Sequence, residues 1–239
     1  MNKSNSALCK VCQYRNICIP ESLLPSLKES SVQKIASDLA QQISFVKGKL
    51  VYRQGDEFQS IFTIRSGCIK TYSLDKEGEE LIEGLFFPGE FLALDCISFK
   101  RYSHFAVATE DSDLCLINYH NLEDLASRES QLALHVSKAI SGQLSKQLRW
   151  AQSFIKGNSE QRLITWILIV SSKLKLEAKS SYKFSIPVTK AEIARLLQMR
   201  PESLSRVITK LNKEGFINFV NKECIVNNKK RLFERSSLK

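Results

Sequence analysis

The spacing of apolar residues changes several times along the 239-residue chain, and each change predicts a different element. From Leu23 to Ile43 apolar positions recur at helical spacing and predict one or two short helices. From Phe45 the period shortens to β-type runs such as Ile61–Ile64, Ile69–Leu74, Phe105–Thr109 and Leu114–Ile117. Turn signals at Lys47-Gly48, Gln54-Gly55-Asp56, Arg65-Ser66-Gly67, Glu77-Gly78-Glu79 and Pro88-Gly89-Glu90 separate them, roughly every ten residues. Short strands with regular Gly-rich turns predict an antiparallel roll, barrel or sandwich. From about Ser130 to Ile155 the period is helical again. Val136, Ile140, Leu144, Leu148, Ala151 and Ile155 form a stripe spaced four, four, four, three and four. That is a narrow seam, closer to a coiled-coil dimer face than to the wide face of a core helix. Lys156-Gly157-Asn158 ends it.

A further helix is expected from Leu163 to Leu176. In the stretch that follows, Thr189 with Glu192 three residues on reads as a capping box at the start of a short helix. A tight turn leads to a second helix entered through Pro201, whose fixed φ suits a first helical position. This is helix-turn-helix spacing. Glu214 to Val226 reads as a two-stranded wing, and the basic tail from Asn227 is expected to fray.

Charge sharpens this division. Residues 1–155 carry 17 Lys and Arg against 18 Asp and Glu, whereas residues 156–239 carry 18 against 7. The whole basic excess of a chain with net charge +10 therefore lies in its last third. This is the electrostatic footprint of a nucleic-acid-binding domain joined to one that does not touch nucleic acid. No apolar run approaches membrane-span length, and the polar N-terminus lacks a signal peptide's apolar core. A cytoplasmic chain with no membrane partner is expected. Its seven cysteines then favour metal ligation or thiol redox chemistry over a disulfide framework.

Three of those cysteines, Cys9, Cys12 and Cys18, sit in one polar segment too short to fold alone. Cys-x2-Cys-x5-Cys is a thiolate claw of the size that zinc and iron–sulfur clusters use. An iron–sulfur site needs a fourth ligand from elsewhere. Cys68, Cys96 and Cys224 read as small core hydrophobes. The three histidines, His104, His120 and His135, lie far from the claw in sequence, and no convergent catalytic constellation is visible.

A β-roll, a long seam-bearing helix and a winged helix-turn-helix together resemble the CRP/FNR superfamily of bacterial transcription regulators, over essentially the whole chain. The implied fold class is α+β: a claw at residues 1–22, a β-roll at 23–120, a dimerisation helix region at 121–156 and a DNA-binding domain at 157–239. Cys9, Cys12 and Cys18 match the claw of the FNR branch, the anaerobic regulators with an oxygen-labile [4Fe-4S] cluster. Cys115 matches the position of that branch's fourth ligand. Glu202-x-x-Ser205-Arg206 matches the FNR-type recognition helix and implies TTGAT-type half-sites in an inverted repeat of double-stranded DNA. Arg can bridge guanine, Glu can accept from cytosine, and Ser can reach a neighbouring base. Ser203 belongs to the same motif, and Arg200 is expected on phosphate.

The resemblance also implies a homodimer that forms with the cluster, and an activator whose Glu77-Gly78-Glu79 turn meets RNA polymerase. Gln147 stands where FNR-type helices carry an acidic residue that opposes pairing, so dimerisation is expected to depend less on oxygen. Cyclic nucleotide is not expected. Pro88-Gly89-Glu90-Phe91 resembles the start of the superfamily's binding cassette, but His104-Phe105 stands where the phosphate-holding Arg-Ser or Arg-Thr pair would be. A regulator using zinc or thiol chemistry and, behind it, an iron–sulfur electron carrier are the alternatives.

Overall fold

The computed structural model describes residues 40–128, 130–155, 157–176 and 180–236. Cys9, Cys12 and Cys18 lie outside the described residues, as does most of the helical stretch expected from Leu23. Internal contacts divide the chain into two units. One runs up to Ser73 and from Leu85 to Ser145, and the other holds Leu74–Gly84 and the chain from Lys146.

Eight strands build the roll as two four-stranded sheets. The first has the order β1 (Ala40–Phe45), β8 (Ser112–Asn118), β3 (Ser60–Ser66), β6 (Phe91–Leu92). The second has the order β2 (Leu50–Tyr52), β7 (Phe105–Ala108), β4 (Ile69–Leu74), β5 (Glu80–Phe86). The expected helical period does not carry through Ile43. Ala40–Phe45 is instead a strand paired along its length with β8, from Ala40 opposite Ile117 to Phe45 opposite Ser112. Ile43 and Phe45 pack inward at period two, and pairing with β8 overrides the helical spacing around them.

The turn glycines at 48, 55, 67, 78 and 89 all have positive φ. At Gly67 the need is steric as well, because a Cβ there would lie 2.1 Å from Ser112 Oγ and 2.6 Å from the Asp111 carbonyl oxygen.

Alternation along the first sheet gives it two buried faces. Phe62, Ile64 and Leu114 face the interior with Tyr52, Ile69 and Leu92. Ile61 and Ile117 face outward, onto Leu122 of α1 (Tyr119–Arg128) and Leu132 of α2 (Ser130–Ile155). The α1 helix was not separately legible in the sequence.

The basic domain begins at α3 (Ser159–Lys173), whose N-cap Asn158 forms a capping box with Gln161. It continues through β9 (Tyr182–Ser185), α4 (Lys190–Leu196), α5 (Pro201–Lys213), β10 (Ile217–Val220) and β11 (Glu223–Val226). The expected two-stranded wing is β10 and β11, paired antiparallel, and β9 adds a third strand on β11. The tail expected to fray is ordered as α6 (Lys229–Glu234) through Ser236. Asn228 caps it, Leu232 is fully buried, and Arg235 pairs with Glu160 and Glu214. No helix among the described residues is long and apolar enough to cross a membrane.

Candidate nucleic-acid interface and cluster site

The helix-turn-helix is set by local chemistry at each end. Thr189 Oγ1 accepts from the Glu192 N–H at 3.2 Å, and Glu192 Oε2 accepts from the Thr189 N–H at 2.7 Å. Such a cap is worth about 1 kcal/mol. The first helix then ends in a paired 6→1 and 5→2 turn: the Met199 N–H donates to Ala194 O and the Gln198 N–H to Arg195 O. Gln198 occupies the left-handed position of that turn, at φ 51°, where glycine is usual. From α3, Arg162 Nη1 donates to Leu197 O at 3.0 Å and so satisfies a carbonyl the helix end leaves open. Pro201 then starts α5, with Arg200 at its N-cap.

Two faces of α5 differ sharply. Leu204, Ile208 and Leu211 are buried, each worth about 1.5–3 kcal/mol removed from water. Glu202, Ser205, Arg206, Thr209 and Lys213 are exposed on the other side, with Ser203 half-buried at its flank. Ser205, Arg206, Thr209, Lys210, Lys213 and Glu214 line a shallow open groove along this side. At the wing, Asn221 takes a left-handed turn (φ 54°) that puts the exposed Lys222 at the tip.

A charge cluster fixes α5 to its neighbours. Glu160 of α3 receives Lys210 at 2.7 Å and Arg235, which also reaches Glu214. Burial pushes the Glu160 carboxyl up, but the hydrogen bonds from Lys210 and Arg235 outweigh it and hold it below its ordinary value.

The stripe on α2 does not share a single environment. Val136, with Ala139, packs against the Ile61–Ile117–Leu132 cluster of the roll. Gln143 anchors the same side, donating to Phe91 O at 2.6 Å and accepting from its N–H at 3.2 Å. Val136 thus touches its own roll, one turn along the helix from Ile140. Ile140, Leu144 and Leu148 are 36%, 53% and 54% exposed, and Ala151 and Gln147 are exposed too. Ile155 is the last residue of this helix.

Cys115 lies on β8, opposite Gln42 of β1 and Thr63 of β3, and is 8% exposed. Directly opposed residues share a sheet face, so Cys115 and Thr63 are on the outward face that carries Ile61 and Ile117. Thr63 is 2% exposed, and its Oγ1 has no hydrogen-bond partner among the described residues. A buried orphan hydroxyl beside a thiol suits a sulfur acceptor held there, and the donor set fits a thiolate-bound cluster to that extent. Cys68 and Cys224 are fully buried, and burial pushes the Cys224 thiol up to about 12.

Aromatic rings pack together in the roll interior. Tyr52 stacks on Tyr102 at 4.0 Å between ring centroids, and Phe62 adjoins them. His104, 5% exposed, meets the Tyr52 hydroxyl through Nε2 at 2.7 Å. No arginine is buried in the roll among the described residues. The Glu77-Gly78-Glu79 turn is exposed and tied by Asp75, whose Oδ1 accepts from both the Glu77 and Glu79 N–H groups.

Residues 42–129 match the family described as cyclic nucleotide-binding domain, and residues 161–235 match the Crp-like helix-turn-helix domain. The chain is 27% identical over 224 residues to the fumarate and nitrate reduction regulatory protein of Yersinia pestis, covering 94% of this chain and 88% of that one. It is 27% identical over 226 residues to the anaerobic regulatory protein of Haemophilus influenzae, covering 95% and 86%. Among solved structures, FixK2 of Bradyrhizobium japonicum superposes with a TM-score of 0.74 at 20% identity, over 83% of this chain and 98% of that one. A CRP/FNR-family transcriptional regulator of Thermus thermophilus gives 0.65 at 19% identity, over 82% and 98%.

Proposed function

We propose, on the premise that the chain belongs to the CRP/FNR family of DNA-binding transcription regulators, that it is a homodimeric, oxygen-responsive regulator of anaerobic genes. The observation that carries the DNA reading is the exposure of Glu202, Ser205 and Arg206 along one side of α5, whose other side anchors it in a basic domain. A helix so presented offers the major groove a bidentate donor for guanine, a carboxylate for cytosine N4 and a short hydroxyl between them. That set suits a TTGAT-type half-site. Arg200 and the lysines of the domain take phosphates and supply affinity without reading sequence.

Ile140, Leu144, Leu148 and Ala151, with Ile155, pair with the same stripe of a second copy. Two-fold symmetry then spaces two recognition helices about one DNA turn apart, matching an inverted repeat. Cys9, Cys12, Cys18 and Cys115 would hold a [4Fe-4S] cluster, which when bound supplies an oxygen-labile iron–sulfide centre. Thr63 would donate its hydroxyl hydrogen to a sulfur of the bound group, tuning the centre as outer hydrogen bonds do. The exposed Glu77-Gly78-Glu79 turn is the surface for RNA polymerase. Gln147, neutral on an exposed helix face, makes pairing less dependent on oxygen.

Purification without oxygen tests the cluster. About four irons and four sulfides per chain, with a brown absorption that bleaches in air, are expected. Cys115→Ser loses the iron, while Thr63→Val keeps it but shifts its reduction potential. No iron, or one tightly held zinc, contradicts the reading.

A further inference from the structure

The roll contains a second group of soft and polar donors, away from Cys115. Asp95 and Cys96 lie in the 3-10 turn Asp95–Ser98, and His104 stands just before β7. One ligand atom from each, a carboxylate oxygen, the Cys96 Sγ and an imidazole nitrogen, lies within 4.8 Å of the others. Sulfur to carboxylate is 3.7 Å and imidazole to carboxylate 3.5 Å. Tetrahedral zinc, with bonds of roughly 2.0–2.3 Å, spaces its ligands by about 3.3–3.7 Å. Both distances to the carboxylate already have that spacing, and sulfur and imidazole lie within 4.8 Å of each other.

Two further observations point the donors at one place. The Tyr52 hydroxyl holds His104 Nε2 at 2.7 Å, which leaves Nδ1 for the cluster and supplies the outer hydrogen bond metal-binding imidazoles use. One hydroxyl, Ser103 Oγ, touches all three donors: Asp95 Oδ2 at 2.6 Å, His104 Nδ1 at 2.8 Å and Cys96 Sγ at 3.5 Å. Cys96 is fully buried and His104 nearly so, while the Asp95 side chain is 51% exposed, giving the site one open side.

The geometry points to a divalent zinc-type cation site formed by Asp95, Cys96 and His104, with its fourth position open to water. Sulfur and imidazole select a borderline-soft ion over magnesium or calcium, which want oxygen. Binding is not redox. The Cys96 S–H bond breaks, its electron pair goes to the metal, and the proton leaves to solvent. The sequence placed Cys96 among the apolar core cysteines. Its apolar neighbours are real, but its sulfur faces Asp95 and Ser103.

The test uses the full chain with Cys9, Cys12, Cys18 and Cys115 all changed to serine, so the claw cannot compete for metal. Cobalt(II) is titrated and followed by absorption. One equivalent with a thiolate charge-transfer band and intense tetrahedral bands is expected, displaced by zinc. Cys96→Ala abolishes the charge-transfer band. Asp95→Asn, at the half-exposed rim, weakens cobalt at least about tenfold in a chain whose circular dichroism is unchanged. No cobalt uptake, or a thiolate band that survives Cys96→Ala, overturns the site and leaves a hydrogen-bonded network only.

Discussion

Helices α2 and α5 are both amphipathic, and among the described residues both have a long exposed side. On α5 the buried side is Leu204, Ile208 and Leu211, and the open side is Glu202, Ser205, Arg206, Thr209 and Lys213. On α2 the buried side is Leu132 with Val136 and Ala139, and the open side is Ile140, Leu144 and Leu148. Exposure is common to the two, so exposure does not name the partner. The chemistry does. A charged, donor-rich face loses little by meeting water and gains by meeting base edges and phosphates. Leucines more than half exposed on one line are costly in water and are satisfied by another apolar line. In the proposed homodimer a second copy supplies it, since a two-fold axis makes one stripe its own complement.

The contrast can be broken by exchanging the chemistry of either face. The largest effect is expected for Leu144→Glu with Leu148→Glu. Losing about 1.5–3 kcal/mol per buried leucine weakens self-association more than about 100-fold, seen by sedimentation, while the fold and its circular dichroism persist. Arg206→Ala should cost about 1–3 kcal/mol on a cognate site, leave scrambled DNA nearly unaffected and leave self-association unchanged. If it weakened self-association instead, the two faces would not be separate surfaces. Arg162→Ala removes the donor to Leu197 O and should lower thermal stability of the DNA-binding domain by about 1–2 kcal/mol.

Acid separates the faces by another route. The Glu160 carboxyl is held below its ordinary value of 4.5, so its pairing with Lys210 and Arg235 contributes stability above that pH. The contribution is lost as pH falls through the lower folded-state value. Melting followed from pH 6 to 3 should show a shallower fall for Glu160→Gln than for the natural chain. The smallest effect is expected at Gln198→Gly. The left-handed turn at φ 51° costs a side-chain-bearing residue about 1 kcal/mol, part of which glycine returns through its freer unfolded chain. A net gain of about 0.5 kcal/mol remains, read as a small rise in melting temperature.

What could be read from the sequence was what neighbouring residues decide. Thr189 with Glu192, Pro201 at the start of α5, the turn glycines and the span of α2 all rest on contacts within a few positions. The errors came where distant residues decide. Ala40–Phe45 becomes a strand because β8, some seventy residues on, is there to pair with it. The α6 helix is only six residues long, and what orders it is Leu232 in the core and Arg235 on Glu160, a separation of 75 positions. A helical stripe fixes an angle on a cylinder but not what stands opposite, so the spacing does not show that Val136 also touches the roll. The orphan hydroxyl of Thr63 beside Cys115, and Ser103 among Asp95, Cys96 and His104, arise from strand register and loop closure, which leave no spacing signal.

The most direct measurement is a DNA titration of the anaerobically purified protein at one fixed salt concentration. It compares a TTGAT inverted repeat with a single half-site, and is repeated after air has bleached the sample. The expected result is at least about a hundredfold preference for the inverted repeat, as two linked sites give, and weaker binding of that repeat in air. Equal affinity for one half-site and two, or binding unchanged after the iron is lost, would contradict an oxygen-responsive dimer.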